Sequence, residues 1–140
     1  GKLCYVYLML KALLSYKPFQ LEIEMDDYRK QQFDNVWFLA VSNQPYFGGG
    51  MKISPDSKIE DGQIEVTIVH NLPGWKFLIL FLTVYKGAHL KYKEVVHTKV
   101  KKVRCVVSEP VHCHTDGETV FTQDVEFTMT VNRGKLIIPS

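Results

Sequence analysis

Phe19-Gln20-Leu21-Glu22-Ile23-Glu24-Met25 decides the fold. Its apolar side chains fall on every second residue and its polar ones between them, the period of a strand with one buried face. Pro18 stands just before it. Proline cannot continue a helix and pushes its predecessor toward extended structure. The segment upstream of Pro18 is different: Leu3, Val6, Tyr7, Leu10, Leu13 and Leu14 recur at helical spacing, which predicts an amphipathic helix over residues 2–15. The two-residue period returns downstream. Ile64, Val66, Ile68 and His70 alternate with Gln63, Glu65, Thr67 and Val69, and Val103, Cys105 and Val107 make another face. Near the end Val125, Phe127, Met129 and Val131 alternate with Glu126, Thr128 and Thr130. Val36 to Val41 is continuously apolar, as in a strand covered on both sides. One further helix is predicted from about Trp75 to Lys86, opened by Asn71-Leu72-Pro73-Gly74, with Gly87 at the left-handed C-cap. Short strands, Asp-Gly turns and few helices predict a mainly β chain: a two-sheet β-sandwich with an N-terminal helix and one further helix.

Length and composition agree with one domain over residues 1–140. With 46% hydrophobic and 23% charged residues the chain is neither disordered, collagen-like nor a coiled coil. Seventeen Lys and Arg against fifteen Asp and Glu give a formal charge of +2, no electrostatic basis for binding nucleic acid. The three cysteines (Cys4, Cys105, Cys113) are odd in number and form no CxxC pair, which points to a reducing, cytoplasmic setting rather than a disulfide framework. No apolar run approaches the ~20 residues that cross a bilayer. The apolar opening residues meet Lys11 and no small-residue cleavage site, so they do not read as a signal peptide.

Three segments could carry chemistry. In Asn43-Gln44-Pro45-Tyr46-Phe47-Gly48-Gly49-Gly50-Met51, consecutive glycines let backbone N–H groups converge on a phosphate or let another chain come close. The plainer reading is a wide turn between strands. No GxxxxGK[ST] or GxGxxG loop occurs. In Lys58-Ile59-Glu60-Asp61-Gly62-Gln63, Asp-Gly before an alternating strand is first a turn, though a carboxylate with kinked-backbone carbonyls could also hold a hard cation such as Mg²⁺. In His112-Cys113-His114-Thr115-Asp116-Gly117-Glu118, a strand would put His112 and His114 on one face, two ligands where zinc wants three or four. Asp116 and Glu118 flank a glycine; such a pair is either a solvated acidic turn or a site for metal binding or general-base work. Phe77, Leu78, Leu80, Phe81 and Leu82 surround most of a helix, which reads as buried rather than membrane-inserted. Lys99, Lys101, Lys102 and Arg104 read as a solvated strand face rather than a lipid-headgroup patch. His70, His89 and His97 stand alone.

The string NQPYFGGGMKISPDSKIEDGQIEV, followed some way on by HTDGE, resembles the C-terminal domain of the bacterial diacylglycerol kinase-like lipid kinases of the YegS, DgkB and BmrU type. The opening helix with Tyr16-Lys17-Pro18-Phe19 and the closing Asn132-Arg133-Gly134-Lys135-Leu136-Ile137-Ile138-Pro139 also match, so the resemblance spans essentially the whole chain. It implies a two-domain enzyme whose N-terminal domain binds ATP through a GGDGT-type loop. That loop is absent here; the only Asp-Gly pairs are Asp61-Gly62 and Asp116-Gly117. The resemblance therefore implies the lipid-side half of an ATP- and Mg²⁺-dependent kinase that phosphorylates a lipid hydroxyl such as that of diacylglycerol, inactive by itself. Glu118 would be the general base, assisted by Asp116. Mg²⁺ would sit on the Asp61 carboxylate with the carbonyls of Lys58 and Gln63. Asn43, Gly48, Gly49 and Gly50 would line the cleft near phosphate or headgroup. The implied partners are a lipid alcohol, ATP through the other domain and the inner face of the membrane, with self-association of a bared apolar surface. Ser57 stands where the family often has alanine, and His112-Cys113-His114 stands where apolar residues are common. The rival reading is a non-catalytic lipid- or partner-binding sandwich; an NAD kinase-like reading lacks its own substrate-loop motifs.

Overall fold

The computed structural model describes residues 7, 11, 14–26, 29–115, 118–130 and 133–137. Seven strands follow in order: β1 (Phe19–Met25), β2 (Arg29–Ser42), β3 (Ile64–His70), β4 (Val95–Val100), β5 (Lys102–Thr115), β6 (Glu118–Thr130) and β7 (Arg133–Ile137). Helix α1 (Gly74–Thr83) and two single turns of 3₁₀ helix, Val84–Lys86 and Ala88–Lys91, lie between β3 and β4. Tyr7, Lys11, Leu14 and Ser15 are helical, and the Ser15 hydroxyl donates to the Lys11 carbonyl at 2.8 Å; the rest of the predicted N-terminal helix lies outside the described residues.

The strands pair antiparallel in the order β4-β3-β2-β1-β5-β6-β7. Where the sequence predicts two sheets, the hydrogen bonds run through one. That sheet cannot be flat. Three strands separate β4 from β5, yet only Lys101 connects them in the chain. Four strand spacings of ~4.8 Å would hold them about 19 Å apart, while two residues reach at most about 7 Å. The sheet must therefore roll until β4 meets β5. A bulge between Val36 and Phe38 and a left-handed Asn35 (φ 50°) break the regular ladder of the long strand β2. The first half of β2, Arg29–Asn35, is largely exposed and lacks apolar alternation, which is why the sequence signal began only at Val36.

The roll encloses the main core: Leu21, Ile23 and Met25 of β1, Val36 of β2, Ile64, Val66 and Ile68 of β3, Val100 of β4, and Val103, Cys105 and Val107 of β5. These are the alternating faces read from the sequence. Burial pushes the Cys105 thiol up to about 12, so it stays protonated and acts as a small apolar side chain. Strand β3 is buried on both faces. Its second face puts Val69 against Leu72, Leu80 and Val95, with Trp37, Phe38 and Phe77 packed around them. The helix thus covers the outside of the roll through Phe77, Leu80 and Val84, while Gly87 takes the expected left-handed conformation (φ 68°) beneath it.

Asp26 pins the corner where the sheet closes. It ends β1 in a left-handed conformation (φ 52°), its N–H donates to the Lys102 carbonyl at 2.9 Å, and its Oδ1 accepts from the N–H groups of Lys101 and Lys102 at 2.8 and 3.0 Å. Asp26→Ala leaves two N–H groups without this acceptor and places a Cβ-bearing residue with no local hydrogen bond at positive φ, so it should lower unfolding stability by about 2 kcal/mol. Asp26→Asn keeps an acceptor and tolerates the left-handed region, and should lose less than half of that in urea denaturation. Equal losses for the two variants would show that the corner is not held by this side chain.

Candidate functional site

The glycine loop projects from a braced base. Phe47 N–H donates to the Met51 carbonyl at 2.8 Å and Met51 N–H returns to Phe47 at 3.0 Å, closing a small hairpin around Gly48, Gly49 and Gly50. Gly49 (φ 65°) and Gly50 (φ 82°) occupy backbone regions that L side chains avoid, and among the described residues no atom comes within 4 Å of the position a Cβ would take at any of the three. The tip is therefore shaped by its own backbone and open toward solvent. Its base is tied down at several points. Ser54 N–H donates to Pro45 at 3.3 Å, and the Ser42 and Ser54 hydroxyls meet at 2.6 Å. Lys52 N–H donates to Val84 at the end of the helical segment at 3.2 Å. His89, 2% exposed, donates from Nε2 to the Ile53 carbonyl at 2.9 Å. Burial pushes the His89 imidazole below its usual range, against the opposite pull of that carbonyl. Asn43 is half-buried at the start of the same loop.

The Asp61 turn lies on the second face of β3. Asp61 Oδ1 accepts from the Gln63 N–H at 3.0 Å, an Asx turn, with Gly62 left-handed at φ 68°. Its Oδ2 lies 3.3 Å from Lys99 Nζ. The Gln63 N–H and then the Lys99 ammonium hold the Asp61 carboxyl below the usual carboxylate range. The same ammonium touches Glu65 Oε1 at 3.2 Å and the Asp56 carbonyl at 3.0 Å, and the Glu65 contact foremost raises its own pKa. Behind it, Glu65 is 2% exposed, with Oε2 at 3.0 Å from His97 Nε2, at ion-pair distance though poorly directed as a hydrogen bond. His97 Nδ1 meets the Thr67 hydroxyl at 2.9 Å. This chain of polar groups went unseen in the sequence, where Glu65 and Thr67 looked like the wet side of a strand. The signal that finds it is register: Glu65 pairs with Lys99 and Thr67 with His97 across β3 and β4.

The third segment is the far end of a hairpin arm. β5 pairs with β1 only from Val103 to Val107; from Val111 to Thr115 its partner is β6, after a register shift. Glu118 opens β6 opposite Thr115, and Asp116 and Gly117 lie outside the described residues. His112 and His114 are both exposed, on one face as expected. Each is engaged across the arm: the His112 ring lies 4.9 Å from that of Phe121, and His114 Nδ1 is 3.0 Å from the Thr119 hydroxyl. Among the described residues no cluster of His, Cys, Asp or Glu could hold a metal through side chains alone. Nor does any hydrogen bond or ion pair among them join the arm to the glycine loop or the Asp61 turn. Three of the four basic residues of this stretch meet carboxylates: Lys99 meets Asp61 and Glu65, Lys102 meets Glu126 at 3.6 Å, and Arg104 meets Asp124 through Nε at 3.0 Å.

Comparison with known proteins finds similarity to proteins named as lipid kinases. Residues 1–138 match the family model described as the YegS C-terminal NAD kinase beta sandwich-like domain. A Bacillus subtilis protein named "Putative lipid kinase YtlR" is 34% identical over 113 residues, covering 81% of this chain and 36% of its own length. A diacylglycerol kinase of the same organism is 28% identical over 118 residues, covering 84% of this chain and 38% of its own. The crystal structure of a diacylglycerol kinase from Bacillus anthracis superimposes with a TM-score of 0.62 at 15% identity, over 89% of this chain and 44% of that one, a likeness of fold. The chain spans about two fifths of the length of these relatives.

Acidification should lower the stability of the fold in two pH ranges. His89, with its lowered pKa, favours the fold when neutral; that contribution is whole above about pH 6.5, the ordinary histidine value, and is lost as pH falls toward the depressed one. Asp61, Glu94 and Asp124 are lowered mainly by hydrogen bonds, from the Gln63 N–H, Lys76 and Arg104 respectively; their contribution is whole above about pH 4 and is lost below it. The urea midpoint should therefore decline below about pH 6.5 and again in the acid range. His89→Gln, which does not titrate, should remove the first decline; an unchanged profile would mean that another group carries it.

Proposed function

This chain belongs to the YegS C-terminal NAD kinase beta sandwich-like domain family, and from that premise we propose that it is the lipid-side half of an ATP- and Mg²⁺-dependent kinase that phosphorylates a lipid hydroxyl such as that of diacylglycerol. The observation that carries the reading is the family match along residues 1–138, with lipid kinases as the named relatives. The whole enzyme would close its cleft with a second, nucleotide-binding domain, and this half would not turn over alone. The two-sheet description attached to the family corresponds here to one rolled sheet whose opposite walls face each other across the core.

In this reading Glu118 accepts the proton of the lipid hydroxyl as that oxygen attacks the γ-phosphate, and Asp116 assists. A carboxylate is a weak base toward an alcohol, so the transfer comes late, when the oxygen has already acquired acidity from bonding to phosphorus. Phosphoryl transfer needs positioning and neutralisation of charge more than covalent chemistry. A hairpin arm carrying Glu118 at its end suits such positioning. Asn43 and Gly48, Gly49 and Gly50 offer open backbone toward phosphate or headgroup. The lipid alcohol implies work at the cytoplasmic face of a membrane, and the surface left bare without the second domain favours self-association of the isolated chain.

The Asp61 turn has the donor chemistry that Mg²⁺ takes: a carboxylate with the carbonyls of Lys58 and Gln63, all hard oxygens. Lys99 acts as a stand-in cation there, its ammonium already drawn to Asp61, Glu65 and the Asp56 carbonyl. Bound Mg²⁺ would supply a cross-link of the turn, not chemistry on the substrate.

Two measurements test the proposal. In the full-length protein, transfer of labelled phosphate from Mg-ATP to a panel of lipid alcohols should fall roughly 10²–10⁴-fold in Glu118→Gln. Labelling that survives in the variant would remove Glu118 as the base, and no labelling of any lipid by folded protein would favour the non-catalytic binding module. Separately, Mg²⁺ should raise the thermal midpoint of the protein, Asp61→Asn should abolish the rise, and Lys99→Met, which removes the competing ammonium, should bring it on at lower Mg²⁺. A midpoint indifferent to Mg²⁺ in all three would refute the metal site.

A further inference from the structure

The outer face of α1 is apolar and bare. Trp75, Ile79 and Leu82 stand at i, i+4 and i+7, one face of a helix, and are 66%, 49% and 64% exposed. Tyr85, in the turn of 3₁₀ helix that continues it, is 51% exposed. The opposite face carries Phe77, Leu80 and Val84 into the protein, so the inward packing is complete without the outer residues. The sequence reads as a buried helix, and the structure corrects that: Trp75, Ile79 and Leu82 face out.

Charge around this face is one-sided. No Asp or Glu occurs from Val66 to Lys93, a stretch that holds four lysines. Lys76 is taken by Glu94 at 2.6 Å. Lys86, Lys91 and Lys93 are exposed, and none of them joins an ion pair among the described residues. The contrast with Lys99, Lys102 and Arg104 is direct, since each of those meets a carboxylate. An amphipathic tryptophan and tyrosine flanking two aliphatic side chains, in a stretch with three exposed lysines whose nearest acid, Glu94, is buried and already paired with Lys76, have the chemistry of an interfacial helix on an anionic bilayer.

We propose that Trp75, Ile79, Leu82 and Tyr85 form a membrane-docking face that enters the headgroup region of an anionic lipid surface, steered by Lys86, Lys91 and Lys93. The inference rests on the lipid-kinase reading only for the presence of a bilayer near the protein. The lysine rim and the missing acids favour lipid over a second protein domain as the occupant. Docking here would also bear on the glycine loop, whose Lys52 N–H is bonded to Val84 and whose Pro55 packs against Gly87.

The test is cosedimentation of the full-length protein with phosphatidylcholine vesicles, with and without phosphatidylglycerol, followed by tryptophan emission. Binding should require the anionic lipid and shift the emission to the blue, and Trp75→Phe should remove the shift while the half-buried Trp37 remains. Ile79→Asp with Leu82→Asp should weaken binding at least ~10-fold. Charge reversal at Lys86, Lys91 or Lys93 should weaken it about 5-fold each and more so at low salt. Phe121→Asp, which changes an equally exposed apolar residue on the hairpin arm, should bind as the parent does. Circular dichroism and thermal melts establish that each variant is folded. Unchanged binding in the folded double variant would overturn the proposal, as would binding indifferent to anionic lipid. A double variant that loses stability only in the full-length protein would also overturn it, by showing that another part of the protein covers the face. None of these readouts involves phosphoryl transfer, so the kinase reading can fail while this one stands.

Discussion

A single residue, Lys101, carries the chain from one edge of a five-strand run to its other end. That covalent constraint forces the sheet to roll, and the roll makes the core. Once β4 and β5 meet, the alternating apolar faces of five strands converge on one volume instead of forming a plane that needs a second sheet or a helix layer to cover it. At the corner Lys101 belongs to no strand and Lys102 only begins β5, so their N–H groups take a side-chain acceptor. Asp26 answers both needs with one side chain, accepting from the two N–H groups while its own backbone turns left-handed. A residue that ends β1 thereby fixes where β4 stops and β5 starts.

The roll has a second consequence at β3. With one face committed to the interior, its other face must be covered from outside, and two different coverings divide it. Val69 lies under α1, whose apolar inner side matches it. Glu65 shares Lys99 with the Asp56 carbonyl and Asp61, and the burial of Glu65 and Thr67 depends on polar partners in β4: Lys99 and His97. Burying a carboxylate without such partners would cost several kcal/mol. The Glu65–Lys99–Asp61 contacts therefore join the sheet to the turn that follows the glycine loop, and His89 joins the base of that loop to the segment after α1. Loop and turn are held by separate polar anchors rather than by a shared apolar core.

The legible part of this fold was the part governed by local periodicity. Phe19 to Met25, Ile64 to His70 and Val103 to Val107 alternate because one side of each faces the interior, and Gly87 ends its helical segment as its residue type requires. What periodicity cannot carry is which strand meets which. The closure of one sheet on itself depends on connection length and pairing order, and without these the same strands read equally well as two sheets. Arg29 to Asn35 extends as a strand by pairing with β1 although its composition is polar. Glu65 was misread for a related reason: alternation distinguishes two faces but does not say that both are covered. In the site the DGE segment and the glycine loop were visible because unusual residue types mark them, whereas the Glu65–His97–Lys99 network is visible only in register.

The glycine loop shows how far the fold itself accounts for its residues. Gly49 and Gly50 are explained by conformation, since their positive φ excludes side chains whatever the space around them. Gly48 has neither reason. It has no positive φ, and among the described residues nothing stands within 4 Å of where its Cβ would lie. A side chain there would meet none of the described residues, so the fold itself does not account for this glycine. The hairpin bonds between Phe47 and Met51 keep that backbone in one shape without help from a ligand. The firm anchoring lies below the tip: the brace at Ser54, Lys52 and His89 fixes the direction in which the tip is presented.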